Sequence, residues 1–296
     1  MTISRRSLLK KLGAASAVVG ATAGKVFGLG YDRKAPQSDA VGMLYDATKC
    51  IGCKTCVVAC KEANKMPAET TNALWENPAD LSWRTKNVIK LYKTAEETSF
   101  MKAQCMHCVD PACMSVCMLG AFHKGKWGVV EYNPDKCIGC RYCQVACPFN
   151  IPKFEWTKAT PKIVKCELCK DRLAAGKEPA CTEVCPTKAV IFGKRADLLK
   201  EAKRRIKENP DRYVHKVYGE TDAGGTQVLY LAAVPFEKIG LPNAGDEPLP
   251  AATVTVQRAV YRGFAAPIAL YAVLGGVLFR NRKKNAEQRT EVSHEG

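Results

Sequence analysis

Residues Cys137-Ile138-Gly139-Cys140-Arg141-Tyr142-Cys143-Gln144-Val145-Ala146-Cys147-Pro148 decide how this chain is read. The cysteines stand at x2, x2, x3 spacing and end on Cys-Pro, the run by which thiolates hold a 4Fe-4S cluster. Three closely spaced thiolates wrap one cluster, and the fourth, ahead of Pro148, ligates a different one. The segment therefore implies a second cluster elsewhere in the chain. A zinc ribbon uses well-separated cysteine pairs, and disulfide frameworks belong to small secreted domains. Neither places four thiols in one such run.

All sixteen cysteines lie between Cys50 and Cys185. They fall into four groups. The first is Cys50, Cys53, Cys56 and Cys60, spaced x2, x2, x3. The second is Cys105, Cys108, Cys113 and Cys117, spaced x2, x4, x3. The third is the segment quoted above, and the fourth is Cys166, Cys169, Cys181 and Cys185, spaced x2, x11, x3. Lys49-Cys50-Ile51-Gly52-Cys53 returns as Lys136-Cys137-Ile138-Gly139-Cys140. Ala112-Cys113-Met114-Ser115-Val116-Cys117 is echoed by Ala180-Cys181-Thr182-Glu183-Val184-Cys185. Such internal repetition predicts two similar modules. Each group is expected on a loop followed by a short helix, with Gly52 and Gly139 turning their backbone N–H groups toward sulfur. Candidate strands lie at Met43–Asp46, Val88–Tyr92, Trp127–Tyr132, Lys162–Lys165 and Ala189–Gly193. The fold class is α+β, with elements too short to build much core, so bound metal must supply much of the folding energy.

The net charge of +16 invites a nucleic-acid reading. Two corrections reduce it. Arg5, Arg6, Lys10 and Lys11 lie in a segment expected to be an export signal, and without them the charge is +12. A cluster with four thiolates carries about −2, so four of them add about −8 and leave about +4. No basic stripe interleaved with aromatics is present, and nucleic acid is not an expected partner.

The order and spacing of the four groups resemble those of the four-cluster ferredoxin-type electron-transfer subunits of bacterial respiratory oxidoreductases, over about residues 41–240. The resemblance implies two bacterial-ferredoxin-like modules carrying four 4Fe-4S clusters. It also implies that the groups pair first with fourth and second with third, each lending its last cysteine to its partner. Carried over, Cys50, Cys53, Cys56 and Cys185 hold cluster 1, and Cys60, Cys166, Cys169 and Cys181 hold cluster 2. Cys105, Cys108, Cys113 and Cys147 hold cluster 3, and Cys117, Cys137, Cys140 and Cys143 hold cluster 4. Cys147 and Cys185 precede proline while Cys60 and Cys117 do not, a departure that touches no ligand. His107 sits inside the second group and could replace a thiolate, but four cysteines are already there, which favours a packing or supporting role. Trp75, Trp83, Trp127 and Trp156 are read as packing over clusters rather than as relays. Lys49, Lys136 and Lys165, beside cysteines, either raise cluster potential or are solvated surface.

Residues 4–10, Ser-Arg-Arg-Ser-Leu-Leu-Lys, followed by an apolar run to Ala23, match a twin-arginine export signal. Folded export suits a protein whose clusters are inserted in a reducing cytoplasm. The expected organisation is a signal and linker over 1–30, a four-cluster domain over 31–200 and a helix and strand extension over 201–250. A transmembrane anchor follows over 251–280 and a basic cytoplasmic tail over 281–296. The extension reads as a helix at Asp197–Asn209 and strands at Tyr213–Tyr218 and Gln227–Val234. The anchor rests on Gly263–Phe279, uncharged and about 26 Å long as a helix. With Ala259–Tyr261 added it reaches about 31 Å, a spanning length. Arg280, Arg282, Lys283 and Lys284 follow and place that end in the cytoplasm. The 44 residues between Cys60 and Cys105 exceed an ordinary loop and predict an inserted, partner-touching subdomain, which deletion of Ala68–Ser82 with cluster content and complex assembly both intact would refute.

No nucleophile, acid–base pair or nucleotide loop is visible, and every cluster is expected to be fully ligated. The expected role is a non-catalytic wire at the periplasmic face of the inner membrane. A signal and an anchor on one cluster protein resemble the iron–sulfur subunit of periplasmic uptake nickel–iron hydrogenase, hydrogenase-2 type. That implies the small and large catalytic subunits and an integral quinone-reactive subunit as partners. The same wire serving a formate dehydrogenase or molybdenum-dependent reductase is the alternative, and a zinc-stabilised structural module is a remote one.

Overall fold

A computed structural model describes residues 31–68, 80–158, 161–251, 253–254 and 265–292. The export signal, Trp75 and nearly all of Ala68–Ser82 lie outside the described residues. In chain order the elements are β1 (Val41–Asp46), α1 (Thr55–Ala63), β2 (Asn87–Lys93), β3 (Thr98–Gln104), α2 (Ala112–Ser115), β4 (Phe122–Lys124), β5 (Val130–Tyr132), α3 (Tyr142–Ala146), β6 (Lys153–Phe154) and β7 (Ile163–Val164). Then come α4 (Lys170–Ala174), α5 (Ala180–Glu183), β8 (Val190–Lys194), α6 (Arg195–Glu208), β9 (Val228–Leu231) and α7 (Ala265–Val292).

Every residue of β1 after Val41 is buried, which a strand achieves only when both faces are covered. It is the central strand of a three-stranded sheet in the order β8-β1-β9. β8 pairs antiparallel, Val41 opposite Lys194, and β9 pairs parallel, Met43 opposite Val228. Successive side chains leave opposite faces. Met43 and Tyr45 enter the core that also holds Cys105, Cys166 and Cys181, whereas Leu44 packs with Leu198 and Ala202 of α6 and with Leu229 and Leu231 of β9. One face of the sheet therefore serves the thiols and the other is sealed by a helix. Gly42 is required by close approach: a Cβ there would stand 1.9 Å from the carbonyl oxygen of Gln227.

Asp46 ends β1 with its side chain fully buried. It accepts from Arg205 Nη1 at 3.0 Å, Tyr213 OH at 2.9 Å and the backbone N–H and hydroxyl of Thr48 at 3.1 and 2.6 Å. This clamps β1 to α6 and to the segment after it. Arg33–Pro250 forms one compact unit. Within it, residues beyond 200 are part of the central sheet through β9.

Each of the five short strands expected from the sequence overlaps an observed one. β3, β4 and β6 were not foreseen; β3 pairs with β2 as a seven-residue hairpin, Asn87 opposite Gln104 and Lys93 opposite Thr98. The expected strand at Tyr213–Tyr218 reduces to a single bridge, Tyr218 with Tyr230. Its side chains are held individually instead, Tyr213 by Asp46 and Tyr218 by the carbonyl of Pro242 at 2.6 Å.

The expected transmembrane anchor falls partly on residues 255–264, which lie outside the described residues. Its sequence is helical in α7, whose described apolar side chains, among them Ile268, Tyr271 and Phe279, are exposed. No helix among the described residues, however, is long and apolar enough to cross a membrane. From Ala265 to Phe279 the described helix is uncharged over about 22 Å. Arg280 and Arg282 continue the same helix. Residues 259–264, which the expectation required, lie outside the described residues.

Candidate metal centres

All sixteen cysteines are free thiols, and their loops share one local geometry. In each group the residue two positions after the first cysteine has a left-handed backbone: Gly52 at φ 70°, His107 at 48°, Gly139 at 71° and Leu168 at 54°. That turn points an amide back at the preceding sulfur. Gly52, Gly139 and Leu168 each donate N–H to the Sγ of Cys50, Cys137 and Cys166 at 3.4 Å. A second left-handed residue, Lys54, Arg141 or Cys169, then starts α1, α3 or α4. Further donors reach sulfur from Thr55 Oγ1 to Cys53 at 3.4 Å, Asn64 Nδ2 to Cys60 at 3.6 Å and Ala121 N to Cys117 at 3.2 Å. The echoed Pro-Ala-Cys sequences form matching one-turn helices, α2 after Pro111 and α5 after Pro179. After the last cysteine, Gly120, Asn150 and Lys188 close left-handed turns in groups two to four. In the first group α1 instead runs past Cys60 to Ala63.

Packing joins the groups in pairs. α1 lies against α5, so the first group meets the fourth, and α2 lies against α3, so the second meets the third. One cavity is lined by Cys50, Cys53, Cys56 and Cys185, together with Tyr45, Ile89 and Lys102. Another is lined by Cys117, Cys137, Cys140 and Cys143, with Phe122 and Ile163. Cys60 has Cys166, Cys181 and Cys169 as electrostatic neighbours, and Cys108 has Cys147, Cys105 and Cys113. These four sets also meet in sequence, through Cys56 and Cys181, Cys166 and Cys105, and Cys113 and Cys143. Cys53 and Cys140, at the two ends of that succession, are the exposed thiols; the inner sets hold only buried or half-buried ones.

Burial dominates the chemistry of the thiols. It pushes Cys56, Cys143 and Cys166 up to about 12 and Cys147 to about 11, and neighbouring sulfurs add to the first three. Free of metal they are neutral at pH 7, and iron must displace their protons. Buried cations offset the charge that follows. For Lys102, burial opposes ionisation, but Cys181, Cys56 and Cys166 outweigh it and hold the ammonium above the ordinary lysine value. Lys124 is brought down to about 8 by burial, against the pull of Cys108, Cys105 and Cys113. Lys165 is 3% exposed and donates to the carbonyls of Val130 and Cys166, whereas Lys49 is half-buried and Lys136 exposed. The potential-raising alternative thus fits Lys165, and solvated surface fits Lys136. Lys102 was missed by sequence reasoning.

His107 is fully buried, and its Nδ1 accepts the backbone N–H of Val130 at 3.1 Å. Burial, then Lys165 and Lys124, drives its pKa well below the usual histidine range, so it is neutral. With Nδ1 committed to Val130, the ring serves packing and loop support. Trp127 packs against the main core under Lys126, 4.6 Å from its ring centroid, while Trp156 is exposed beneath Arg141 at 4.5 Å.

The residues fit 4Fe-4S clusters. Amide and side-chain donors aimed at sulfur, apolar walls and buried ammonium groups are the surroundings such clusters require. Among the described residues no set of three or more His, Cys, Asp or Glu closes around a single metal ion. A cluster, being several ångströms across, does not need its ligands that close.

Such loops, gathered in pairs about a small sheet, define an iron–sulfur protein of the ferredoxin type. A 4Fe-4S dicluster domain family matches residues 96–195, and a 4Fe-4S binding domain family matches residues 41–62. The chain belongs to the ferredoxin-type iron–sulfur subunits. It is 38% identical over 320 residues to the hydrogenase-2 operon protein HybA of Escherichia coli O157:H7, covering 96% of this chain and 97% of that protein. It is 35% identical to the nitrate-inducible formate dehydrogenase iron–sulfur subunit of Escherichia coli K12, over 86% of this chain and 90% of that one. The formate dehydrogenase iron–sulfur subunit of Haemophilus influenzae is 34% identical, over 76% and 75%.

Proposed function

We propose that this chain is the electron-transfer subunit of a respiratory oxidoreductase complex, holding four 4Fe-4S clusters in the sixteen-thiol arrangement given above. The observation that carries the reading is the succession of four thiol sets with one exposed thiol at each end, Cys53 and Cys140. When bound, each cluster takes up and passes on one electron. The protein's part is positional. Its loops fix the thiols, Gly52, Gly139 and Leu168 donate to sulfur, and Met43 and Tyr45 on one face of the sheet pack with the inner sets and exclude water. No residue here is assigned a bond-making or bond-breaking step.

The catalytic partner is read as a hydrogenase, supported by likeness to the hydrogenase-2 operon protein along nearly the whole chain. The second reading, a formate dehydrogenase, is supported by the relatives that bear that name. The proposed place is the periplasmic face of the inner membrane, after twin-arginine export, beside an integral quinone-reactive subunit. Iron and acid-labile sulfide analysis of the purified chain tests the clusters: about sixteen irons per chain supports four of them, and zinc without sulfide overturns the reading. Nickel or molybdenum in the complex isolated through this subunit then decides between the partners.

A further inference from the structure

Lys102, on β3, is fully buried, and no carboxylate lies within ion-pair distance of it among the described residues. Its ammonium donates to the side-chain oxygen of Gln104, a neutral group. A buried cation without a counter-charge is strongly unfavourable. The anions within reach are sulfurs. Lys102 lines the cavity shared by Cys50, Cys53, Cys56 and Cys185, and its charge acts on Cys56 there. It also acts on Cys60, Cys166 and Cys181 of the neighbouring set, where its partner Gln104 and the thiol of Cys181 both reach the sulfur of Met43, at 3.2 and 4.0 Å. The same ammonium therefore faces two sites at once. The hairpin aims it: Lys102 is paired with Ile89 of β2, and its carbonyl is fixed by Tyr230 OH at 2.6 Å.

Resting on the function proposed above, we propose that Lys102 is a positioning residue whose charge is shared by two adjacent clusters and raises the reduction potential of both. The sites are Cys50, Cys53, Cys56 and Cys185, and Cys60, Cys166, Cys169 and Cys181. On reduction a site gains one electron and passes from about −2 to about −3, with no proton or atom transferred. A fixed positive charge in a medium of low dielectric favours the more negative form. The sites beyond have cations of their own, Lys124 and Lys165, and act as internal controls.

The test uses the full chain purified anaerobically in its complex, with Lys102→Met and Lys102→Arg variants, titrated with dithionite and followed by electron paramagnetic resonance. Iron and sulfide are measured alongside. Four reducible clusters in the wild type establish the underlying reading independently of the lysine. In K102M two midpoint potentials are expected to fall and two to stay, while K102R, which keeps the charge, restores the fallen pair toward wild type. Should K102M lose about half its iron, the side chain holds the pair rather than tunes it, and the proposal is overturned. Four unshifted midpoints in an iron-replete K102M overturn it. So does a K102R that behaves like K102M in potential.

Discussion

At the scale of single residues, the left-handed position two after each first cysteine does the same task with different side chains. Glycine fills it twice, but His107 and Leu168 occupy it too, at φ 48° and 54°. Leucine therefore tolerates this backbone, so His107→Leu removes the Nδ1 acceptor without straining the turn, together with a buried Nε2 that makes no hydrogen bond. It leaves the Val130 N–H buried without a partner and is expected to cost about 1–3 kcal/mol in denaturant unfolding. Iron content and the cluster spectrum should stay unchanged; lost iron would instead make His107 a ligand. The cysteines and the two glycines could be read from spacing alone. The shared turn at His107 and Leu168 could not, because neither residue type announces a positive φ. Lys102 was hidden for a related reason. Lys102 and Gln104 alternate with Met101 and Ala103 along β3, a pattern that reads as a solvated face, yet that face turns toward thiols.

At the scale of elements, β1 and α6 depend on Asp46. Asp46→Ala leaves Arg205 with Glu201 alone, at 2.8 Å, and removes the acceptor of the Tyr213 hydroxyl; it is expected to cost about 1–3 kcal/mol, measured as a lower denaturant midpoint with an unchanged slope. On the outer face of α6, Glu201 is held at about 2 by hydrogen bonds from Arg204, with burial opposing and Arg205 assisting. The folded value lies below the unfolded one, so this contribution is full above about 4.5 and is lost as pH falls toward about 2. Glu201→Gln should flatten the stability profile across that window by at most about 1 kcal/mol, since the pair is partly exposed and screened. α6 and β9 were both foreseen from period and caps. The resemblance implied that this extension packs on the cluster domain, but nothing local in 195–231 says that it completes a sheet begun at Val41.

At the scale of the whole molecule, Arg33–Pro250 forms a unit of its own, with the thiols all inside it. Ending the chain at Pro250 is therefore expected to leave iron and sulfide content unchanged; a fall in either would tie the C-terminal segment to cluster retention. If that segment attaches the protein to membranes, the shortened chain should pass into the soluble fraction on alkaline carbonate extraction. The fold class and the four groups were legible because metal spacing is a strong local signal. The pairing of α1 with α5 around α2 with α3 carries a consequence for synthesis. The pairs nest like brackets, so the inner one can close while the outer one still waits for its far half. Between Cys60 and Cys181 about 120 residues must be translated, some 6–24 s at bacterial rates. A nascent chain stalled near residue 190, with Cys147 clear of the ribosome and Cys166 to Cys185 still within it, should thus leave Cys50 to Cys60 open to alkylation while Cys105 to Cys147 are already shielded; equal labelling of both would rule this order out. The earliest thiols made are then the last to be covered, and in the cell that interval is when they most need protection.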